Sequence, residues 1–199
     1  MEETTCDRVA MSTATDDHQS VCPVELAGAL DNPIRRWLQQ PDKLMKPYIK
    51  PGMTVLDMGC GPGFFTIEIA RMLKGSGKVI AADLQQGMLD KVAQKIQGTE
   101  LEPFVKLHRC KEKQIGLTEK VDFILAFYMV HEVPDKPRLF EELRGLLQPN
   151  GTLLIVEPKF HVTKKNFTQM LSVTEKSGLQ PIGTPSFSFS RAVLLKQTY

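Results

Sequence analysis

From Thr54 onward the chain alternates short apolar runs with longer stretches whose apolar residues recur every three or four positions. Thr54–Met58 is a largely apolar run of strand length, bounded by glycine, and predicts a buried strand. A helix is expected over 64–74, stopped by Gly75-Ser76-Gly77, then a second strand over 78–82. Met88, Leu89, Val92 and Ile96 fall on one helical face within 86–97, and Gly98 stops that helix. A third strand is expected over 104–109 and a fourth, almost continuously apolar, over 121–127. Leu139, Phe140, Leu143, Leu146 and Leu147 mark a helix stopped by Pro149-Asn150-Gly151, before a fifth strand over 152–156. Phe167, Met170, Leu171 and Thr174 mark a last helix ended by Gly178, and strands are expected over 179–182 and 187–196.

Strands alternating with helices predict a parallel sheet covered on both faces. Two final strands with no helix between them predict a terminal antiparallel hairpin. Positions 1–20 are polar and acidic and read as a mobile tail. Positions 21–42 read as short helices broken at Asn32-Pro33, forming a lid over a domain that spans 43–199. A further short helix is expected over 42–49, ended by Pro51-Gly52.

Composition narrows the classes. The 199 residues carry 25 Lys+Arg against 23 Asp+Glu, a net charge of +2, which argues against a strongly electrostatic grip on nucleic acid. No apolar run is long enough to cross a bilayer as a helix, so no membrane span is expected. The N-terminal segment has no basic region followed by an apolar one, unlike a signal peptide. Cys6, Cys22, Cys60 and Cys110 form no CxxC pair, and reduced thiols in a cytoplasmic protein are the expectation.

The sharpest chemistry lies in Asp57-Met58-Gly59-Cys60-Gly61-Pro62-Gly63. An acid near the end of the first strand is followed by three glycines at alternate positions, leading into a helix. Glycine allows unusual φ and lets a ligand lie on the backbone. In open α/β sheets the ligand crevice lies at the carboxyl ends of the strands. A dinucleotide fingerprint, GxGxxG or GxGxxA, fits in neither register, because Phe64 or Thr66 falls at the third position. A pyrophosphate is also poorly matched to Asp57, whereas an ammonium and a sulfonium suit an acidic turn. Asp83, at the end of the second strand, is placed to accept both hydroxyls of a ribose.

DxGxGxG, the acid at Asp83, the stretch VDFILAFYMVHEVPD and the stretch LLQPNGTLLIVEPK together resemble the class I S-adenosylmethionine-dependent methyltransferases, in their small-molecule branch. The resemblance covers about residues 43–197, with boundaries good to ~2–4 residues. It implies an α/β, Rossmann-like three-layer sandwich of about seven strands, mostly parallel. It implies S-adenosylmethionine as methyl donor and S-adenosylhomocysteine as product. Asp57 and the backbone of Gly59 and Gly61 would then hold the methionine end, with Cys60 and Gly63 also in the cofactor-binding turn. Asp83 would hold the ribose, Leu84 would pack on adenine, and Ala126 and Phe127 would line the cofactor beside the sulfur. The family's adenine-binding acid after strand three has no clear counterpart; Lys111 stands there, with Glu112 next.

The [DN]PP[YFW] motif of methyltransferases acting on adenine or glutamine amino groups is absent after strand four. Tyr128 and His131 lie where an acceptor would approach. His131 reads either as a general base or as a helix-start residue bonded to backbone. Glu157 and His161 read as acceptor-pocket or solvated-loop residues, and Arg36 and Trp37 as lid residues over the acceptor or as ordinary surface and packing. Cys22, Cys60 and Cys110 as a soft metalloid site, and His131, Glu157 and His161 as a metal site, are weaker alternatives, and no resident metal is expected. The expected partner is a small-molecule acceptor, without nucleic acid or membrane, and a homodimer is compatible. A non-catalytic S-adenosylmethionine binder and a nicotinamide oxidoreductase remain the other readings.

Overall fold

The computed structural model describes residues 41–198. The expected tail over 1–20 and nearly all of the lid over 21–42, with Arg36, Trp37 and Cys22, lie outside the described residues. Helix α1 (Pro41–Met45) precedes β1 (Thr54–Met58), α2 (Phe64–Met72), β2 (Lys78–Asp83), α3 (Gln86–Ile96), β3 (Val105–Arg109) and β4 (Val121–Phe127). There follow α4 (Lys136–Leu146), β5 (Leu147–Pro158), α5 (Lys164–Lys176), β6 (Leu179–Gly183) and β7 (Ser190–Gln197). Single 3₁₀ turns at Glu102–Phe104 and Val130–Glu132 connect them.

The seven strands form one sheet in the order β3-β2-β1-β4-β5-β7-β6. β1 to β5 run parallel, while β7 is antiparallel to both β5 and β6. The chain thus returns to insert its last strand inside its penultimate one. Because the side-chain period of a strand is two, alternate residues of each strand feed opposite layers. Leu56, Ile80, Ile124, Leu153, Ile155 and Val193 pack with Phe140 and Leu143 of α4 and Phe167 and Met170 of α5. Val55, Val79, Phe123, Leu125 and Leu154 pack on the other face with Phe64, Phe65 and Ile69 of α2 and Met45 of α1. Leu89 and Val92 of α3 close over Ala81. The result is a three-layer α/β sandwich.

Three boundaries differ from expectation by three residues or more. The helix expected over 42–49 covers only Pro41–Met45. Pro149-Asn150-Gly151 does not separate α4 from β5. The strand starts at Leu147 and runs through these residues, and the register slips between Val121 and Phe123. A Cβ on Gly151 would lie 3.0 Å from the Val121 carbonyl oxygen, so the glycine is needed where the backbones approach. The last strand starts at Ser190, not Phe187, because Ser190 N–H donates to the Phe187 carbonyl and Phe189 turns the chain with φ of 58°.

Candidate active site

The carboxyl ends of β1, β2, β4 and β5 lie along one edge of the sheet. The order reverses between β1 and β4, the place where open α/β sheets bind ligands. Gly59, Gly61 and Gly63 all have positive φ, 71°, 53° and 87°, and carry the chain from β1 to α2 in a tight turn. At Gly59 there is a second constraint: a Cβ would lie 2.8 Å from Cβ of Met129, which packs onto the turn from the end of β4.

The turn's amide donors are taken up internally. Gly59 and Cys60 donate to the Ala82 carbonyl, at 2.8 and 3.0 Å, and Gly63 donates to the Cys60 carbonyl at 3.1 Å. Gly61 N–H donates to Oδ2 of Asp83 at 2.9 Å. Pro62 has no donor. An anion nest needs such N–H groups aimed outward, and here they point into the protein. The carbonyls of Cys60, Gly61, Pro62 and Gly63 have internal partners as well, so what remains for a ligand is the carboxyl oxygens beside the turn.

Two buried carboxylates flank it. Asp57 is 2% exposed, and its Oδ2 accepts from the Thr66 hydroxyl of α2 at 2.6 Å. Burial, reinforced by the nearby Asp83 charge and only partly opposed by Thr66, pushes its carboxyl up to about 7. Asp83 accepts from Gln85 N–H through Oδ1, also at 2.9 Å, so both its oxygens brace loops. Burial raises its carboxyl too, against the pull of those backbone donors. Each oxygen keeps a second lone pair for a ligand donor. Both carboxyls thus hold their protons more tightly than exposed ones do.

The remaining predicted residues spread around this floor. Leu84 is half-buried beyond β2, and Ala126 and Phe127 are buried at the end of β4. Lys111 and Glu112 are exposed; Lys111 exchanges backbone bonds with Gln114 in a small loop, and Cys110 is the buried residue there. Burial raises the thiols of Cys60 and Cys110, that of Cys110 to about 12, so neither is a ready thiolate. Among the described residues no group of three or more His, Cys, Asp or Glu is arranged to hold a metal.

Past β4, Tyr128 adopts φ of 58°, uncommon for a non-glycine residue. Its N–H donates to the Val156 carbonyl, its ring lies 4.3 Å from that of Phe127, and its hydroxyl lies 2.5 Å from Ser190 Oγ. These contacts hold the turn that delivers His131. His131 does not bond to backbone through its ring: Nδ1 lies 2.5 Å from Oε2 of Glu157. Glu157, fully buried at the end of β5, also accepts from Val130 N–H at 3.0 Å. The exposed His161 brings its ring to 5.6 Å from His131. The sequence places Glu157 near the acceptor side, but its partnership with His131 joins the ends of two different strands and leaves no local signal.

Residues 49–185 match the family model described as "Methyltransferase domain". The chain is 32% identical over 110 residues to a demethylmenaquinone methyltransferase of Lactobacillus johnsonii, covering 55% of this chain and 45% of that protein. It is 25% identical over 123 residues to a demethylmenaquinone methyltransferase of Bacillus cereus, covering 62% of this chain and 51% of that one. The chain therefore spans about half the length of these curated relatives. Among solved structures, a SAM-dependent methyltransferase from Aquifex aeolicus superposes with a TM-score of 0.79 at 26% identity, covering 88% of this chain and 98% of that one.

Proposed function

This chain belongs to the methyltransferase-domain family, and on that footing we propose that it transfers a methyl group from S-adenosylmethionine to a small-molecule acceptor. The observation that carries the reading is a turn with no outward amide donors, flanked by two buried carboxylates. That chemistry suits a ligand with an ammonium and a ribose diol and disfavours a pyrophosphate. Asp57 would face the ammonium, Asp83 would take the ribose hydroxyls with its remaining lone pairs, Leu84 would pack on adenine, and Phe127 would line the reacting end. Lys111 or Glu112 would lie near the adenine edge. When bound, the sulfonium supplies an activated methyl group, so the protein's work is alignment and exclusion of water.

The relatives' name favours an apolar, aromatic acceptor, and Tyr128, whose half-buried ring lies 4.3 Å from that of Phe127, offers it an aromatic surface at the end of β4. No helix among the described residues is long and apolar enough to cross a membrane. A cytoplasmic setting, a homodimeric state and the absence of a nucleic-acid partner go with this reading as proposals. Calorimetric titration with S-adenosylmethionine, S-adenosylhomocysteine and NADH tests it. Micromolar binding of the first two alone is expected; binding of NADH, or of none, would overturn it.

A further inference from the structure

The contact between β4 and β5 at the acceptor side carries more than a lining. Glu157 is the one glutamate fully buried among the described residues, and both its oxygens are committed. Oε1 accepts a backbone N–H from Val130, which can only donate, and Oε2 faces Nδ1 of His131. A carboxylate at that place requires Nδ1 to carry the proton. Nε2 is then the ring atom with a free lone pair, on a side chain that is only half-buried. We propose that Glu157 is a positioning residue that fixes His131 as a proton acceptor through Nε2, and that the methyl acceptor is therefore an aromatic alcohol, thiol or quinol that must lose a proton.

The proposal rests on the methyl-transfer reading for its substrate, but not for its geometry. In the step, the acceptor's X–H bond breaks and its proton goes to Nε2. The electron pair left on the acceptor forms the new bond to the methyl group. The pair of the broken S–CH₃ bond stays on sulfur, leaving a thioether. A tertiary amine or a thioether has no proton to give up and would draw nothing from this arrangement.

The carboxylates facing His131 outweigh the groups that oppose them. Burial alone would depress the imidazole. The hydrogen bond and charge of Glu157, with the charge of Glu132 beside it, outweigh burial and the opposing Lys136, and hold the ring above the ordinary imidazole value. Glu132 Oε1 lies 4.0 Å from Nε2, and His161 approaches from the loop after β5. Activity that depends on the unprotonated ring should therefore rise with pH through a midpoint above about 6.5.

The discriminating variant is Glu157→Gln. The Val130 N–H needs an acceptor, so the amide oxygen must turn to it and the amide NH₂ must face Nδ1. That inverts the tautomer and places the proton on Nε2. Long-range ¹⁵N–¹H spectra of the histidine-labelled full chain read this directly. The wild type should show protonated Nδ1 and bare Nε2, with titration above the ordinary imidazole value. E157Q should show the reverse tautomer and a lowered midpoint. Protonated Nε2 in the wild type, or a tautomer unmoved by E157Q, would overturn the proposal.

Methyl transfer from labelled donor to 1,4-naphthalenediol and phenylmethanethiol, both protonated at neutral pH, against N,N-dimethylaniline and thioanisole, tests the acceptor class. Label should enter the first pair only, falling at least tenfold in His131→Asn and in E157Q, with the affinity for S-adenosylhomocysteine unchanged. Preferential labelling of the second pair, or no change in H131N, would overturn it. Failure of the wild type to bind S-adenosylhomocysteine sinks the methyl-transfer reading alone, while the spectra still decide the role of Glu157.

Discussion

Asp57 shows how a single residue can be costly to the fold and useful to a ligand. Its carboxyl is raised to about 7 from an ordinary value near 3.8. The folded state therefore holds this proton more tightly than the unfolded chain does. The stability linked to it is fully present below about pH 4 and is lost as pH climbs towards 7, a change of up to about 4 kcal/mol. Asp57→Asn keeps an oxygen for the Thr66 hydroxyl and removes the titration. Chemical denaturation between pH 4 and 8 should show the variant losing less stability than the unliganded wild type, the residue of the loss coming from Asp83 and His131, so that the variant is the more stable at pH 8. Calorimetry should show the variant's S-adenosylmethionine affinity reduced at least tenfold. A wild type whose stability does not fall over that range would contradict the buried carboxyl. At Asp83, the expected loss on substitution by Ala is about 1–3 kcal/mol of cofactor affinity, from removed charged hydrogen bonds. Because Gly61 N–H also loses its acceptor, part of that loss should appear as a lower melting temperature.

Among elements, the glycine turn is the one whose conformation can be argued from sequence. Three alternate glycines after an acid-bearing strand require backbone that other residues resist, and all three have positive φ. The identity of the element packed on it was not legible: Met129 reaches Gly59 from another strand end. Gly59→Ala adds a Cβ at a left-handed residue and against Met129, and should cost about 1–3 kcal/mol of stability by denaturant titration. A second substitution, Met129→Ala, opens the space and should recover part of that cost in the double variant; strict additivity would mean the two residues do not meet. The strands were read well because β1, β2 and β4 are buried on both faces, and their runs of Val, Leu, Ile and Ala need no partner to be recognised. The misread elements were those whose local punctuation is overridden by packing. Pro149-Asn150-Gly151 is a turn signal in isolation, yet Leu147 before it already pairs with Val121 of β4 and Thr152 after it pairs with Phe123, so the segment is carried within β5 as an irregularity of the ladder.

For the whole molecule, the decisive feature is the return of the last strand. β7 pairs with β5 over seven register positions and carries β6 on its other edge, so the chain's end is an inner strand. Val193 and Leu195 of β7 are fully buried in the core that also holds α5. Ending the chain after Gly183 should therefore abolish the cooperative thermal transition, whereas a peripheral hairpin would leave it with a modestly lowered midpoint; circular dichroism on heating separates the two.

By itself the sequence determined the succession of strands and helices, the acidic glycine turn and the acid closing the second strand. These are local properties: period, backbone permissiveness and the position of a charge relative to a strand end. The tertiary structure alone decided that the turn's amides face inward, that β7 lies inside β6, and that Glu157 meets His131. Those facts depend on which strand ends become neighbours, and neighbours in a sheet are chosen by burial of whole faces at once, which no single segment encodes.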